Sequence, residues 1–181
     1  MGMKFKGTAI VIQGDHVNLD RAMSWYSGME SLPSKEIATK FMVNISPDIP
    51  KRAKKNDIVV GGNDFGCGKG HFSFWIAIKE IGIKCIVAES CSTQMLQNGV
   101  TYQAYLVEVP GILAAVEMGD EIEVDIESAE VKNITRNTVI KGQPFPPFLL
   151  EVMKSGGHLE YLRKKIAGRE DTFDEEYCKG V

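Results

Sequence analysis

The stretch Gly61-Gly62-Asn63-Asp64-Phe65-Gly66-Cys67-Gly68-Lys69-Gly70-His71 constrains this chain more than any other. Five glycines fall in its first ten positions. An apolar run, Asp57-Ile58-Val59-Val60, leads in and is predicted to be a strand. Dense apolar residues from about His71 to Ile81 predict a helix leading out. Glycine admits left-handed backbone and lets another group come close to the main chain. A loop that ends where a helix begins offers free N–H groups and the positive end of a dipole, which suits an anion. Cys67, Lys69 and His71 bring a thiol, an ammonium and an imidazole to the same place, so chemistry is expected here.

Several kinds of chemistry compete for this loop. The nucleotide signature is Gly, four residues, Gly-Lys, then Ser or Thr. Gly68-Lys69 matches its middle, but Asn63 stands at the first glycine and Gly70 replaces the magnesium-binding hydroxyl. A nucleotide hydrolase is therefore not expected. Cys67 and His71, four apart, suit a thiolate near a helix start, yet nothing else supports a thiol enzyme. An anion subsite for a small organic acid, with Lys69 and His71 as charge partners, fits the physics. A purely structural strand-to-helix turn fits equally well, and the residues alone leave these two open.

The remaining numbers exclude several classes. With 181 residues, 44% hydrophobic and 25% charged, the chain is expected to be one soluble domain with a real core. A net charge of −3 gives no general attraction to nucleic acid or an anionic membrane, so neither is an expected partner. No apolar run approaches the ~20 residues of a membrane helix, and the opening Met-Gly-Met-Lys-Phe-Lys-Gly has no signal-peptide pattern. The four cysteines, Cys67, Cys85, Cys91 and Cys178, form no CxxC pair, and with three histidines the spacing is wrong for zinc. Reduced thiols in a cytoplasmic protein are the expectation.

Along the chain, Thr8–Ile12 is a predicted first strand, followed by the turn-forming Gly14-Asp15-His16-Val17-Asn18-Leu19-Asp20. Residues 21–30 permit a short helix, and 31–50 read as a loop or flap with a short helix in Glu36–Phe41. Lys51-Arg52-Ala53-Lys54-Lys55 reads as a solvated basic face. The runs at 57–60 and 83–88 flank the central helix and predict a β-α-β unit with parallel strands. A helix over Ser90–Asn98, stopped by Asn98-Gly99, a strand over Tyr105–Val109 and a helix over Pro110–Glu117 follow. Strict alternation over Glu121–Glu127 marks a half-buried strand, with antiparallel neighbours at Glu130–Thr135 and Thr138–Lys141. Pro146-Pro147 opens a helix to about Lys154, and another spans His158–Ile166. The expected organisation is one α/β domain over 1–168 and a polar tail over 169–181.

Segments spread over nearly the whole chain resemble, in order, the small subunit of 3-isopropylmalate dehydratase, the swivelling domain of the aconitase superfamily. They are Gly14–Asp20, Asp57–Gly68, Ala77–Ser90, Gly119–Asp125 and Phe148–Gly157. The resemblance implies a swivelling β/β/α domain within the α/β class. It implies a heteromeric hydro-lyase, a dehydratase or isomerase of the leucine-biosynthesis type, inactive without its large subunit. It also implies that the partner carries a [4Fe-4S] cluster, with no cofactor or metal in this chain, and that Cys67 is not a cluster ligand.

The chain departs from that family at the loop exit. The family reads Ser-Ser-Arg-Glu-His where this chain has Lys69-Gly70-His71-Phe72-Ser73. The family's base serine would fall at Lys69 or Gly70, and its carboxylate-gripping arginine at His71. A second arginine is lost where the family's Ser-Phe-Ala-Arg becomes Ser90-Cys91-Ser92-Thr93, and a family threonine becomes Leu19. Arginine offers a planar bidentate grip that histidine cannot copy, and glycine cannot supply an alkoxide base. The expected site is therefore Lys69 and His71 as catalytic residues, with Gly66, Cys67, Gly68, Gly70, Asp15 and Asp20 binding an altered small hydroxy acid. The alternative is a non-catalytic anion-binding or structural relative. The retained glycine scaffold favours an active, diverged hydro-lyase.

Overall fold

The sheet turns on its first strand. β1 (Lys4–Val11) pairs antiparallel with β5 (Glu121–Asp125) along Lys4–Thr8 and parallel with β2 (Ile58–Gly61) along Ala9–Val11. On one side β3 (Cys85–Ala88) and β4 (Tyr105–Glu108) continue the parallel part. On the other, β6 (Glu130–Asn133) and β7 (Thr138–Lys141) continue the antiparallel part. The seven strands lie in the order β4-β3-β2-β1-β5-β6-β7, in a computed structural model that describes residues 3–167. The expected tail at 169–181 falls outside the described residues.

Parallel strands covered on both faces must be apolar on both faces, and β2 and β3 are buried at every position. Ile10, Ile12, Val59 and Ile86 face α4 (Ser73–Ile81) together with α1 (Leu19–Ala22) and α2 (Ser34–Ala38). Ala9, Val11, Val60 and Val87 face the opposite way, toward α6 (Ile112–Ala115), α7 (Pro147–Lys154) and the inner side of β5 and β6. α3 (Ile49–Arg52) precedes β2, α5 (Thr93–Tyr102) joins β3 to β4, and α8 (His158–Ala167) follows α7.

The predicted β-α-β unit is present as β2-α4-β3, with parallel strands. Four local expectations change. β1 begins at Lys4 rather than Thr8, because Lys4 and Lys6 form ion pairs with Asp125 (3.3 Å) and Glu121 (3.0 Å) on the neighbouring strand. That charged outer face hid the strand's alternation. Helix α5 runs through Gly99 to Tyr102, since a side chain at Gly99 would overlap Leu106; this glycine serves close packing, not a stop. The helix expected over Pro110–Glu117 is the single turn α6. Residues 31–50 are no free flap: Ile37, Phe41, Met42 and Ile49 are fully or almost fully buried, and Phe41 packs 6.1 Å from Phe74 of α4.

The turn entering β5 is fastened by one carboxylate oxygen. Asp120 Oδ2 accepts from Glu117 N (2.9 Å), Asn133 Nδ2 (2.7 Å) and Arg136 Nε (2.7 Å). The Glu117 N–H leads in holding the Asp120 carboxyl below its ordinary range, helped by Asn133 and Arg136. A folded pKa below the unfolded one stabilises above the unfolded pKa, and the gain is lost as acid titrates through the folded value. Replacing Asp120 by Ala is expected to remove about 2–4 kcal/mol of stability at pH 7, through loss of charge-assisted hydrogen bonds. In urea unfolding, the wild-type advantage should hold above about pH 4 and shrink below it. An advantage constant down to pH 2 would contradict this account.

Candidate functional site at the carboxyl ends of the parallel strands

Loops leaving β1, β2, β3 and β4 meet at one end of the parallel strands, where ligands of open α/β sheets bind. The loop after β2 is laced to the loop after β1. Asn63 N and Nδ2 both donate to Asp15 Oδ1 (2.8 and 3.1 Å), and His16 N donates to Asn63 O (2.8 Å). Gly66 N donates to Val17 O (3.0 Å), and Asn18 bridges to Cys67. Gly62 is the crossing point: a Cβ there would overlap Gly14 O and stand 2.8 Å from Asp15 Oδ1. The loop after β3 holds the other flank. Asp64 N donates to Ser90 Oγ (2.9 Å), Ser92 Oγ to Gly66 O (2.8 Å), and Gln94 Nε2 to Lys69 O (2.6 Å). From the end of β4, Glu108 Oε1 accepts from Cys91 N (2.7 Å).

These contacts place the expected residues individually. Asp15 is exposed, but its carboxylate is committed to Asn63, whose N–H leads in holding its carboxyl below the ordinary range. Gly66, Gly68 and Gly70 take positive φ of 80°, 100° and 62°, as the tight path requires. The sulfur of Cys67 donates to His16 O at 3.1 Å. Lys69 and Gly70 stand at the exposed exit, and neither main-chain N–H has a partner among the described residues. Nor does the Lys69 ammonium have an ion-pair partner there. Helix α4 begins at Ser73, so Lys69 precedes it by a stretch of loop.

Asp20 and His71 are brought together. His71 N donates to Asp20 Oδ1 (3.1 Å), and its ring Nδ1 lies 2.9 Å from Asp20 Oδ2. That second approach is too oblique for a hydrogen bond, so it is an electrostatic contact and Nδ1 keeps no aligned partner. Trp25 stacks on the imidazole with ring centroids 3.8 Å apart and an interplanar angle of 17°, and its Nε1 donates to Glu30 Oε1 (2.8 Å). Ser73 Oγ and Trp75 Nε1 are also buried without a partner among the described residues, so these polar atoms gather at the start of α4.

Sequence reasoning missed Trp25, Asn18 and the two serines of the β3 loop as parts of this site. Trp25 looked like helix spacing. Asn18 carries a readable signal, since it caps α1 by accepting from Arg21 N at 3.0 Å. His16 and Asp64 are non-glycine residues in left-handed backbone (φ 53° and 49°), tied to each other by a 3.0 Å contact between Nδ1 and Oδ2. The Asp64 carboxylate raises the His16 pKa through that bond.

Burial first, and the Asp64 charge second, push the Cys67 thiol above its ordinary range, against a smaller opposing pull from main-chain hydrogen bonding. A group so shifted is mostly protonated, and so unreactive, at neutral pH. Iodoacetamide should modify Cys67 slowly at pH 7 and faster at pH 9 and above, and Asp64→Asn should raise the neutral rate. Rapid alkylation of the wild-type residue at pH 7, read by peptide mass spectrometry, would revive the thiol-enzyme reading.

Among the described residues no group of three or more His, Cys, Asp or Glu side chains is placed to hold a metal ion. No protein-family model matches the chain. It is similar to the isopropylmalate/citramalate isomerase small subunit of Methanocaldococcus jannaschii, at 41% identity over 133 residues, covering 74% of this chain and 79% of that one. It is also similar to the 3-isopropylmalate dehydratase small subunit of Thermodesulfovibrio yellowstonii, at 31% identity, covering 91% of this chain and 97% of the relative. Among solved structures, the 3-isopropylmalate dehydratase crystal structure from Methanocaldococcus jannaschii superposes with a TM-score of 0.81 at 28% identity. That match covers 91% of this chain and 96% of the other.

Proposed function

This chain belongs to the family of 3-isopropylmalate dehydratase small subunits, and from that premise we propose that it closes a shared active site over an altered hydroxy acid of the malate type. It is a hydro-lyase subunit of a heteromeric enzyme. The observation that carries the altered substrate is the loop exit. The interlocked glycine scaffold presents a Lys69 ammonium with no ion-pair partner among the described residues and an imidazole held by Asp20 and Trp25. The residues the family would place there are a serine and an arginine. The named relatives are enzyme subunits, which favours this reading over a non-catalytic module.

In this reading Lys69 moves the proton at the reacting carbon or holds the developing anion. His71 contacts a carboxylate through the edge that Asp20 and Trp25 leave free. Gly66, Cys67, Gly68 and Gly70 supply the close backbone wall, with Asp15 and Asp20 fixing the loops that carry it. Residues 1–168 act as one swivelling unit that docks on a large subunit. The family resemblance assigns a [4Fe-4S] cluster to that partner, where it would supply Lewis-acid assistance to loss of a hydroxyl group. No helix among the described residues is long and apolar enough to cross a membrane, and the reading places the enzyme in the cytoplasm.

The test is co-purification with candidate large subunits, followed by hydration and dehydration assays across malate-like acids. A stoichiometric complex with an iron–sulfur protein, active on such an acid, is expected. Isolation as a stable single subunit that ignores every candidate partner would defeat the proposal.

A further inference from the structure

The other end of the parallel strands carries a hollow of its own, of about 430 Å³. Its walls include Thr8 of β1, Lys51 and Arg52 of α3, Lys54, Asp57 and Met118. Asp57 stands one residue before β2, whereas the glycine loop leaves the far end of that strand. No residue of the glycine loop lines this hollow. The basic run Lys51-Arg52-Ala53-Lys54-Lys55, unused by the function proposed above, supplies three of its walls.

Asp57 is the one carboxylate on those walls, and it is only 8% exposed. Its Oδ2 accepts from Lys54 N (2.8 Å), and no other protein donor reaches the group among the described residues. An ionised carboxylate accepts about four hydrogen bonds, so this one has capacity left. Burial pushes its carboxyl above the ordinary range, against the pull of the Lys54 N–H and the Lys54 charge. A further donor would favour its ionised form. The exposed walls have the opposite character. Lys51 is shared with Asp48 (3.3 Å), but Arg52 and Lys54 have no ion-pair partner among the described residues. The carboxylates beside Met118, those of Glu117 and Asp120, are both engaged by Arg136. Arg52 stands on a fixed turn: its N–H donates to Asp48 O (3.0 Å), and Ile49 of the same turn is buried in the core.

We propose that this hollow binds a small phosphate ester that carries a hydroxyl group, with the phosphate on Arg52 and Lys54 and the hydroxyl donating to Asp57. A guanidinium fork and an ammonium together match a phosphate dianion. A simple anion leaves the Asp57 carboxylate without a donor, and a simple cation is opposed by the basic walls. A hydroxyl on the same molecule satisfies both ends. The proposal is independent of the reading of the glycine loop.

Calorimetric titration of the full-length subunit with ribose 5-phosphate tests it, with inorganic phosphate and ribose as comparisons, in about 0.15 M salt to screen exposed charges. Saturable one-to-one binding of ribose 5-phosphate, tighter than either comparison, is expected. Arg52→Ala should weaken it about ten-fold or more, as loss of a hydrogen bond to a charged group implies, and Arg52→Lys should recover part of the loss. Asp57→Asn retains an oxygen for Lys54 N but offers an amide where the hydroxyl needs an acceptor. It should weaken ribose 5-phosphate several-fold and leave inorganic phosphate unchanged or tighter. Lys69→Ala, at the glycine loop, should change nothing. Thermal melts check that the variants are folded, and the exposed Arg52 decides the matter should Asp57→Asn melt early. Absence of saturable binding, or affinity no better than that of inorganic phosphate, overturns the proposal. So does binding that survives Arg52→Ala or is lost in Lys69→Ala.

Discussion

Lys69→Ala in the assembled enzyme should lower kcat about 10²- to 10⁴-fold, the range for loss of a positioned general acid or base, with assembly and melting temperature unchanged. The stability part follows from exposure. Lys69 is a surface residue, and its one hydrogen bond among the described residues runs from Gln94 Nε2 to its carbonyl, which any residue at this position retains. The activity part follows from position: its ammonium is the group on the glycine loop with no ion-pair partner among the described residues. Lys69→Arg separates two roles. Arginine keeps the charge and cannot give up its proton in the working pH range. If that variant stays inactive, the lysine transfers a proton. If it recovers most of the activity, the lysine holds an anion. Full activity in Lys69→Ala would remove this residue from the site altogether.

Gly62→Ala should destabilise the fold strongly, costing about 3 kcal/mol through overpacking and the hydrogen bonds it parts. For a domain of this size that corresponds to roughly 6–12 °C in Tm. The added methyl would meet Gly14 O and Asp15 Oδ1, and the first is main chain that cannot swing aside. The turn after β1 must then lift off the loop after β2, breaking the Asn63–Asp15 and His16–Asn63 hydrogen bonds. Because the same lift carries Asp20 away from His71, the variant should also lose substrate affinity in the assembled enzyme at temperatures where it remains folded. A Gly62→Ala protein with wild-type Tm and KM would show that the two loops are not coupled through this crossing.

Much of this was legible in the residues because the parallel strands are continuous apolar runs and the glycine loop is compositionally unusual. Ile58–Val60 and Cys85–Ala88 admit little but buried strands, and the helix between them fixes their parallel pairing. The contacts across the loops were not legible. The stacking of Trp25 on His71 joins residues 46 positions apart in sequence, and no periodicity encodes it. Nor can spacing show that Asp20 turns its carboxylate inward while the adjacent Arg21 points out. The burial of residues 31–50 was obscured by prolines and polar residues between single apolar anchors, Ile37, Phe41, Met42 and Ile49. Each anchor is too isolated for a pattern but reaches the core once α4 is in place.

The double pairing of β1 has a consequence for how the chain is made. As synthesis proceeds, β1 leaves the ribosome well before either neighbour, and its antiparallel partner is the more distant: Lys4 pairs with Asp125 and Phe5 with Val124. Loop closure over such a span is slow, and non-local pairing of this kind dominates folding times. Until β5 emerges, one edge of the nascent parallel strands stays open to other chains. Translation pauses or chaperone capture acting before residue 125 should therefore affect the yield of native subunit far more than the same events later. Moving β1 to follow β7 by circular permutation would change that timing while preserving the final pairing.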